Sequence, residues 1–276
     1  MNPKQIHTTL FEAAQEAVSI LTVEYPILQI GEELENLSNY FQGLAIANLL
    51  MGADVEKFKL SLTSSGYARR YFLRRSVREG NADDPRLALG RTEAFFDALA
   101  ANQIALSQDI VRQSGETWHS DWEYEDDFCY FLFLHRLVAG NSSNEKGELR
   151  AILARFESAL EGGSSSRLDV CGALLARDGE AFGAALSELM QQRREELLER
   201  RELMQQDEPL SCVIWARSFV SIEGYALMRI AELLGMPAID RDSELPLCPQ
   251  LGRIQDPPTV YEDIFEGIDR ERTRSR

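Results

Sequence analysis

Arg167-Leu168-Asp169-Val170-Cys171-Gly172-Ala173-Leu174-Leu175-Ala176-Arg177, then Asp178-Gly179, then a run carrying Phe182, Leu186, Leu189 and Met190, is the stretch whose reading decides the fold. Leu168, Cys171 and Leu175 share one face at helical spacing. Asp178 breaks that helix and caps the next, because its carboxylate accepts from unpaired first-turn amides. The second helix continues into the charged stretch Arg193 to Glu202. A third carries Trp215, Phe219, Ile222, Ala226, Ile230 and Leu233 as one stripe, stopped by Gly235 and Pro237. Each helix hides a single face, so each needs a partner, and short breaks favour antiparallel neighbours. The expected fold is therefore all-α, a set of antiparallel helical hairpins. Locally it looks like a helical repeat, although no fixed-period consensus recurs.

Outward from this hairpin the same periodicity continues. Toward the N-terminus, Gln5 to Val23 reads as a helix with Leu10, Ala14, Ala17 and Leu21 inward. Glu32 to Met51 reads as a second, with Leu34, Leu37, Phe41 and Leu44 on one face. Glu32, Glu33 and Glu35 then fall in its first turn, where the helix dipole favours acids. No histidine or spaced carboxylate completes a metal site around them. Val55, Phe58 and Leu62 open a third helix, which Thr63-Ser64-Ser65-Gly66 weakens. Residues Arg86 to Arg112 form one long helix or two, with Asn102 as the candidate break.

Two charged stretches are candidate sites. In Tyr67 to Arg78, Arg70, Arg74 and Arg78 make one helical ridge, flanked by Arg69 and Arg75. It reads either as an anion or partner site or as a row of intramolecular ion pairs. No Gly-rich phosphate loop lies beside it. In Ser120 to Asp127, five of the seven residues after Ser120 are acidic and the other two are Trp122 and Tyr124. Ser120 and Glu123 fit a capping box, which starts a helix there and carries it into the apolar run Phe128 to Val138. The same residues, Asp121, Trp122, Glu123, Tyr124, Glu125 and Asp126, also read as a partner-binding edge. Large aromatics among charges anchor interfaces, and the acids suit a cationic cleft.

Gly140 to Gly147 is a linker dividing an N-terminal half, 1–139, from a C-terminal half, 148–250, within one helical domain, 1–250. Leu149, Leu153, Phe156 and Leu160 make a further helix. Glu244 to Pro249 reads as extended, since residues before proline avoid the helix. Beyond it, 251–276 is an irregular, partly disordered tail in which Val260, Ile264 and Ile268 form a short amphipathic helix.

Composition narrows the function. The 276 residues carry 44% hydrophobic content, enough for a sizeable core, and a net charge of −16. Phosphates would be repelled, so nucleic acid is excluded as a general partner, whereas a basic protein is attracted. Cys129, Cys171, Cys212 and Cys248 form no Cys-x-x-Cys pair and read as free thiols in a reducing compartment. Met1 to Leu21 contains acids and no long apolar run, so it is no signal peptide, and the longest apolar run, Phe128 to Leu134, is too short for a membrane. A cytoplasmic location is expected. His7, His119 and His135 stand in no ligand or triad spacing, and no nucleophile elbow or phosphate loop appears. His119 beside Asp121 is the nearest thing to a base, without an identifiable nucleophile. Glu223, inside an apolar helix, needs a cationic or hydrogen-bonding partner, for which Arg217 and Arg229 are the sequence neighbours.

Leu168 to Asp178 with Phe182, Glu223-Gly224-Tyr225-Ala226-Leu227 and Leu234-Gly235-Met236-Pro237 resemble the immunity protein 49 family. The likeness covers roughly Ile152 to Pro249, and the N-terminal half holds no diagnostic residues. The resemblance implies an all-helical protein of a bacterial polymorphic toxin system. Such a protein binds a cognate toxin and neutralises it by steric occlusion, with no catalysis, cofactor, metal or membrane of its own. The competing reading is a helical scaffold or adaptor that takes peptides or acidic ligands on the arginine ridge. An enzyme would require convergent acids with a metal or cofactor.

Overall fold

The periodicities become eleven α-helices, with no strand among the described residues, which are 2–23, 25–140, 145–203, 208–237 and 265 of a computed structural model. α1 (Pro3–Leu21) opens with a capping box: Asn2 Oδ1 accepts from the Gln5 amide at 3.0 Å, and Gln5 Oε1 accepts from the Asn2 amide at 3.2 Å. It buries Ile6, Leu10, Ala14, Ala17 and Leu21, the expected stripe. α2 (Ile27–Gly52) starts directly after Pro26. Glu32, Glu33 and Glu35 therefore lie beyond the first turn. The apolar stripe itself extends back through Ile30 and Ile27, and the Ile27 amide is satisfied at 2.7 Å by the Glu79 carboxylate.

α3 (Val55–Glu79) is capped by Asp54 and runs unbroken through Thr63 to Gly66. The small residues that lower helix propensity are all buried here, and tertiary packing overrides the propensity. A Cβ on Gly66 would stand 2.7 Å from the Leu106 side chain, so the glycine lets a neighbouring helix close in. Two 3₁₀ turns, Pro85–Leu87 and Leu89–Arg91, lead into α4 (Glu93–Ala100). Asn102, at φ 63°, separates α4 from α5 (Ile104–Gln113), the break its sequence suggested.

α6 (Glu125–Ala139) begins four residues later than the Ser120 capping box predicts. Glu123 accepts instead from the Gly90 and Leu89 amides, at 2.7 and 3.3 Å, and cannot also reach back to Ser120. Gly140, at φ 60°, ends α6, and 141–144 of the expected linker lie outside the described residues. α7 (Glu145–Ala159) returns against α6.

The deciding hairpin is present as α8 (Ser166–Ala176) and α9 (Gly179–Leu203). Arg177 takes the left-handed conformation at φ 57°, and Asp178 Oδ1 accepts from the Glu180 and Ala181 amides, both at 3.1 Å. Phe182, Leu186, Leu189 and Met190 are all buried. The third helix, expected as one stripe, is two: α10 (Pro209–Arg217) and α11 (Ile222–Leu233). Ser221 caps α11 through the Gly224 amide at 3.1 Å, which restarts the helix, and Phe219 and Leu233 are 40% and 48% exposed.

α2 packs against both α1 and α3, and α4 and α5 pack against α3. α6 to α9 follow as neighbouring helices. α10 then returns to pack on α1 and α2, and α11 packs on α4. One hydrophobic core thus joins Leu10, Phe58, Phe95, Phe133, Phe182 and Leu227. No helix among the described residues is long and apolar enough to cross a membrane. The readings placed on 244–249, on Cys248 and on Val260, Ile264 and Ile268 lie outside the described residues, as does the tail 251–276 apart from Phe265, whose ring packs 5.2 Å from that of Tyr71.

The α8–α9 hairpin generates a graded test. Phe182→Ala, which empties a fully buried site, should cost about 3–5 kcal/mol in urea unfolding. Asp178→Ala, which removes only the cap, should cost about 1 kcal/mol.

Candidate functional site

The N-terminal turns of α4, α6, α8 and α11 meet the flank of α9 and leave a polar cleft of about 540 Å³. That is within the 300–1,000 Å³ range of ligand sites. Its deepest charge is Glu223, 7% exposed, in the first turn of α11. Tyr130 Oη of α6 donates to Glu223 Oε1 at 2.8 Å. Arg167 Nε of α8 lies 3.5 Å from the same oxygen, and Arg193 Nη1 of α9 donates to Oε2 at 3.3 Å. Arg167 also donates to Asp127 at 2.8 Å and lies over the Tyr130 ring, 4.8 Å from its centre. Glu223 therefore finds the partners its position demands, but not the sequence neighbours. Arg217 is engaged by Glu93, and Arg229 by Glu232 at 2.7 Å.

Burial pushes the Tyr130 hydroxyl well above its ordinary range, and the adjacent Glu223 carboxylate adds to the rise. Burial likewise raises the Asp127 carboxyl, against the pull of Arg167. For Arg167 burial disfavours the charge, but Glu223, Tyr130 and Asp127 outweigh it and raise the guanidinium further. Tyr130 therefore stays protonated and Arg167 charged at neutral pH.

A second polar chain runs from the cleft floor into the core. Arg217, ending α10, binds Glu93 at 2.5 Å and Asn39 at 2.9 Å, and its Nε donates to Gln42 Oε1 at 2.5 Å. Gln42 Nε2 donates to Asp97 Oδ1, and Ser65 Oγ donates to Oδ2, each at 2.5 Å. Ser38 Oγ closes the chain, 2.7 Å from Ser65 Oγ. Burial drives the Asp97 carboxyl up to about 7 despite the hydrogen bonds from Gln42 and Ser65 and the charge of Arg217. Glu93 shows the opposite balance: burial works to raise it, yet Arg217, Arg193, Arg167 and Arg200 together hold it below its ordinary value.

The expected acidic edge lies beside this cleft and is divided in two. Asp121 is exposed and Tyr124 is 80% exposed. Trp122 is half-buried and stacks on His119 with ring centres 4.0 Å apart. Asp126 is half-buried and lines the cleft. Glu123 and Glu125 are turned to structural use, Glu123 on the 3₁₀ turn and Glu125 on Arg155 of α7 at 2.7 Å. Burial raises the Glu123 carboxyl, opposed by the Gly90 and Leu89 amides.

On the ridge, Arg70 and Arg74 reach one carboxylate, Asp109, at 3.4 and 2.8 Å, and Arg112 joins them at 2.9 Å. Arg78 is exposed in the last turn of α3. The flanking pair belongs to the interior. Arg69 donates to the Arg86 carbonyl at 2.7 Å, and Arg75 binds Glu79 and the Tyr25 carbonyl. His135 is packed edge-on against Phe95, 4.6 Å between centres, and burial lowers it to about 3, with Arg69 adding to the fall. Cys129, Cys171 and Cys212 are buried and form no disulfide with one another.

Sequence reasoning missed Glu93, Arg167, Arg193 and Arg217 as a group. One signal was present: Leu189, Arg193, Leu197 and Arg200 recur on one face of α9, so charge interrupts an apolar stripe.

A family model described as immunity protein 49 matches residues 31–250, which include every residue of the cleft and extend well beyond 152–249. Searches of curated proteins and of solved structures give no match.

Asp97 predicts a pH dependence. Its folded value, about 7, lies above its ordinary 3.8. The stability it contributes is therefore complete below pH ~4 and is lost as pH rises through ~7. Asp97→Asn should remove that loss. The melting temperature of the variant minus that of the wild type should grow from pH 5 to pH 8, by roughly 2–4 °C per kcal/mol of relief. His135 titrates identically in both proteins and cancels in the difference.

Proposed function

Because the chain belongs to the immunity protein 49 family, we propose that it binds a cognate bacterial toxin and neutralises it by steric occlusion. The match over 31–250 carries this reading. Protection of this kind needs no chemistry: a tight complex that covers the toxin's active site, or blocks a movement it requires, is sufficient. The setting is the cytoplasm of the toxin-producing cell.

The partner surface is the edge beside the cleft, with Asp121 and Tyr124 open to solvent, Trp122 supported by His119, and Asp126 at the cleft wall. An exposed tyrosine offers a large contact area with little conformational entropy to lose, and the acids around it steer a basic partner. Glu123 and Glu125 act from behind, anchoring the edge to the Leu89–Arg91 turn and to α7. The adaptor reading draws less support, because Arg70 and Arg74 already share Asp109.

The test begins with the toxin captured from producing cells by the tagged protein. Asp121→Lys with Asp126→Lys should slow association at least tenfold at low salt, and Tyr124→Ala should speed dissociation. Circular dichroism should remain that of the wild type. Unchanged kinetics in both variants would remove this edge from the interface. Protection should also saturate with the amount of protein added. Inactivation of a large excess of toxin would instead mean catalysis.

A further inference from the structure

Of the four arginines that reach the cleft, three are engaged: Arg167 by Glu223 and Asp127, Arg217 by Glu93, and Arg193 by Glu223. Arg200 has no ion-pair or hydrogen-bond partner among the described residues. It stands seven residues after Arg193, two turns along the same face of α9. Arg193 itself is incompletely used. Its Nη1 holds Glu223, while its Nε is buried without an acceptor. A buried N–H with nothing to bond is costly, and it marks a place where an acceptor belongs.

The local field agrees. Glu93 borders the same space and is held in its ionised form by these arginines in spite of burial. The lining holds four arginines and five carboxylates; Asp127, Glu223 and Glu93 are met by Arg167, Arg193 and Arg217, which leaves Arg200 as the cleft arginine with no carboxylate in contact among the described residues. At the start of α8, Ser165 lines the cleft and makes no side-chain capping bond, which leaves first-turn amides of α8 without that cap.

We propose that this cleft is a binding site for a small anion, a phosphoryl or carboxylate group held by Arg193 and Arg200. Two carboxylates, Asp126 and Glu196, line the same cleft without an ion-pair contact or side-chain hydrogen bond among the described residues. They limit the total negative charge the site accepts. The ligand is accordingly one anionic head, preferably with a hydroxyl donor beside it for Glu196, and not a polyanion. The proposal does not rest on the toxin reading; the two share Asp126 alone, and Arg193, Arg200 and Glu196 lie outside the proposed toxin edge.

The full-length protein is titrated with inorganic phosphate and, separately, with lactate, by calorimetry and thermal unfolding. Sodium chloride at matched ionic strength is the reference, since screening alone stabilises an acidic protein. Binding with a Kd below about 1 mM, and a melting temperature above the chloride reference, is expected for at least one anion. Phosphate alone would assign a phosphoryl ligand, and lactate alone a carboxylate. Arg200→Ala, at an exposed position, should weaken binding at least tenfold with an unchanged fold. Glu196→Gln should strengthen it severalfold, which a structural defect would not do. Both anions matching chloride, or Arg200→Ala binding like the wild type, would overturn the proposal.

Discussion

A carboxylate taken out of water must be matched, and Glu223 makes that demand at the meeting point of four helices. Its answer comes from Tyr130 on α6, Arg167 on α8 and Arg193 on α9. None of those residues is near it in sequence, so the ion set fixes how the α8–α9 hairpin sits against α6 and α11. Removing one partner of such a buried set typically costs about 3–5 kcal/mol, because the remaining charge is stranded. An apolar replacement of the whole set would lose the register that these directional bonds impose, and with it the cleft.

The cleft arises from the same demand. Four helices present their N-terminal turns to it, and acids from three of those turns line it: Glu93 on α4, Asp126 and Asp127 on α6, and Glu223 on α11. Each acid sits where helix dipoles favour it. The arginines of α8, α9 and α10 then gather around the acids. Meanwhile Arg69 and Arg75 are folded into the interior of α3.

How much of this was legible follows from which physics each feature uses. The stripes of α1 and α9, the Asp178 cap and the Asn102 break depend on neighbours within a few residues, and periodicity reveals them. The α10–α11 break and the late start of α6 depend on competition. Ser221 outbids a continuous apolar stripe, and Glu123 finds better donors at Leu89 and Gly90 than at its own helix start. Partners of Glu223 and Asp97 depend on tertiary position alone. Burial of Glu223 was expected from its apolar setting, but its partners lie 93, 56 and 30 residues away, where no local pattern reaches. The acidic edge was visible as composition, while its division into exposed and anchoring residues was not.

The return of α10 to the first two helices bears on when the protein becomes functional during its own synthesis. Arg217 closes the polar chain at Gln42 across 175 residues. Until Arg217 has left the ribosome, Gln42 and Asn39 lack that partner, and α2 has an apolar face uncovered. At 5–20 residues per second, translation of the intervening segment takes on the order of ten seconds. The N-terminal helices must wait through that interval incompletely buried. A chain truncated before α10 would leave both the core and the cleft unfinished, so the cleft would be a property of the whole helical array and not of its N-terminal part.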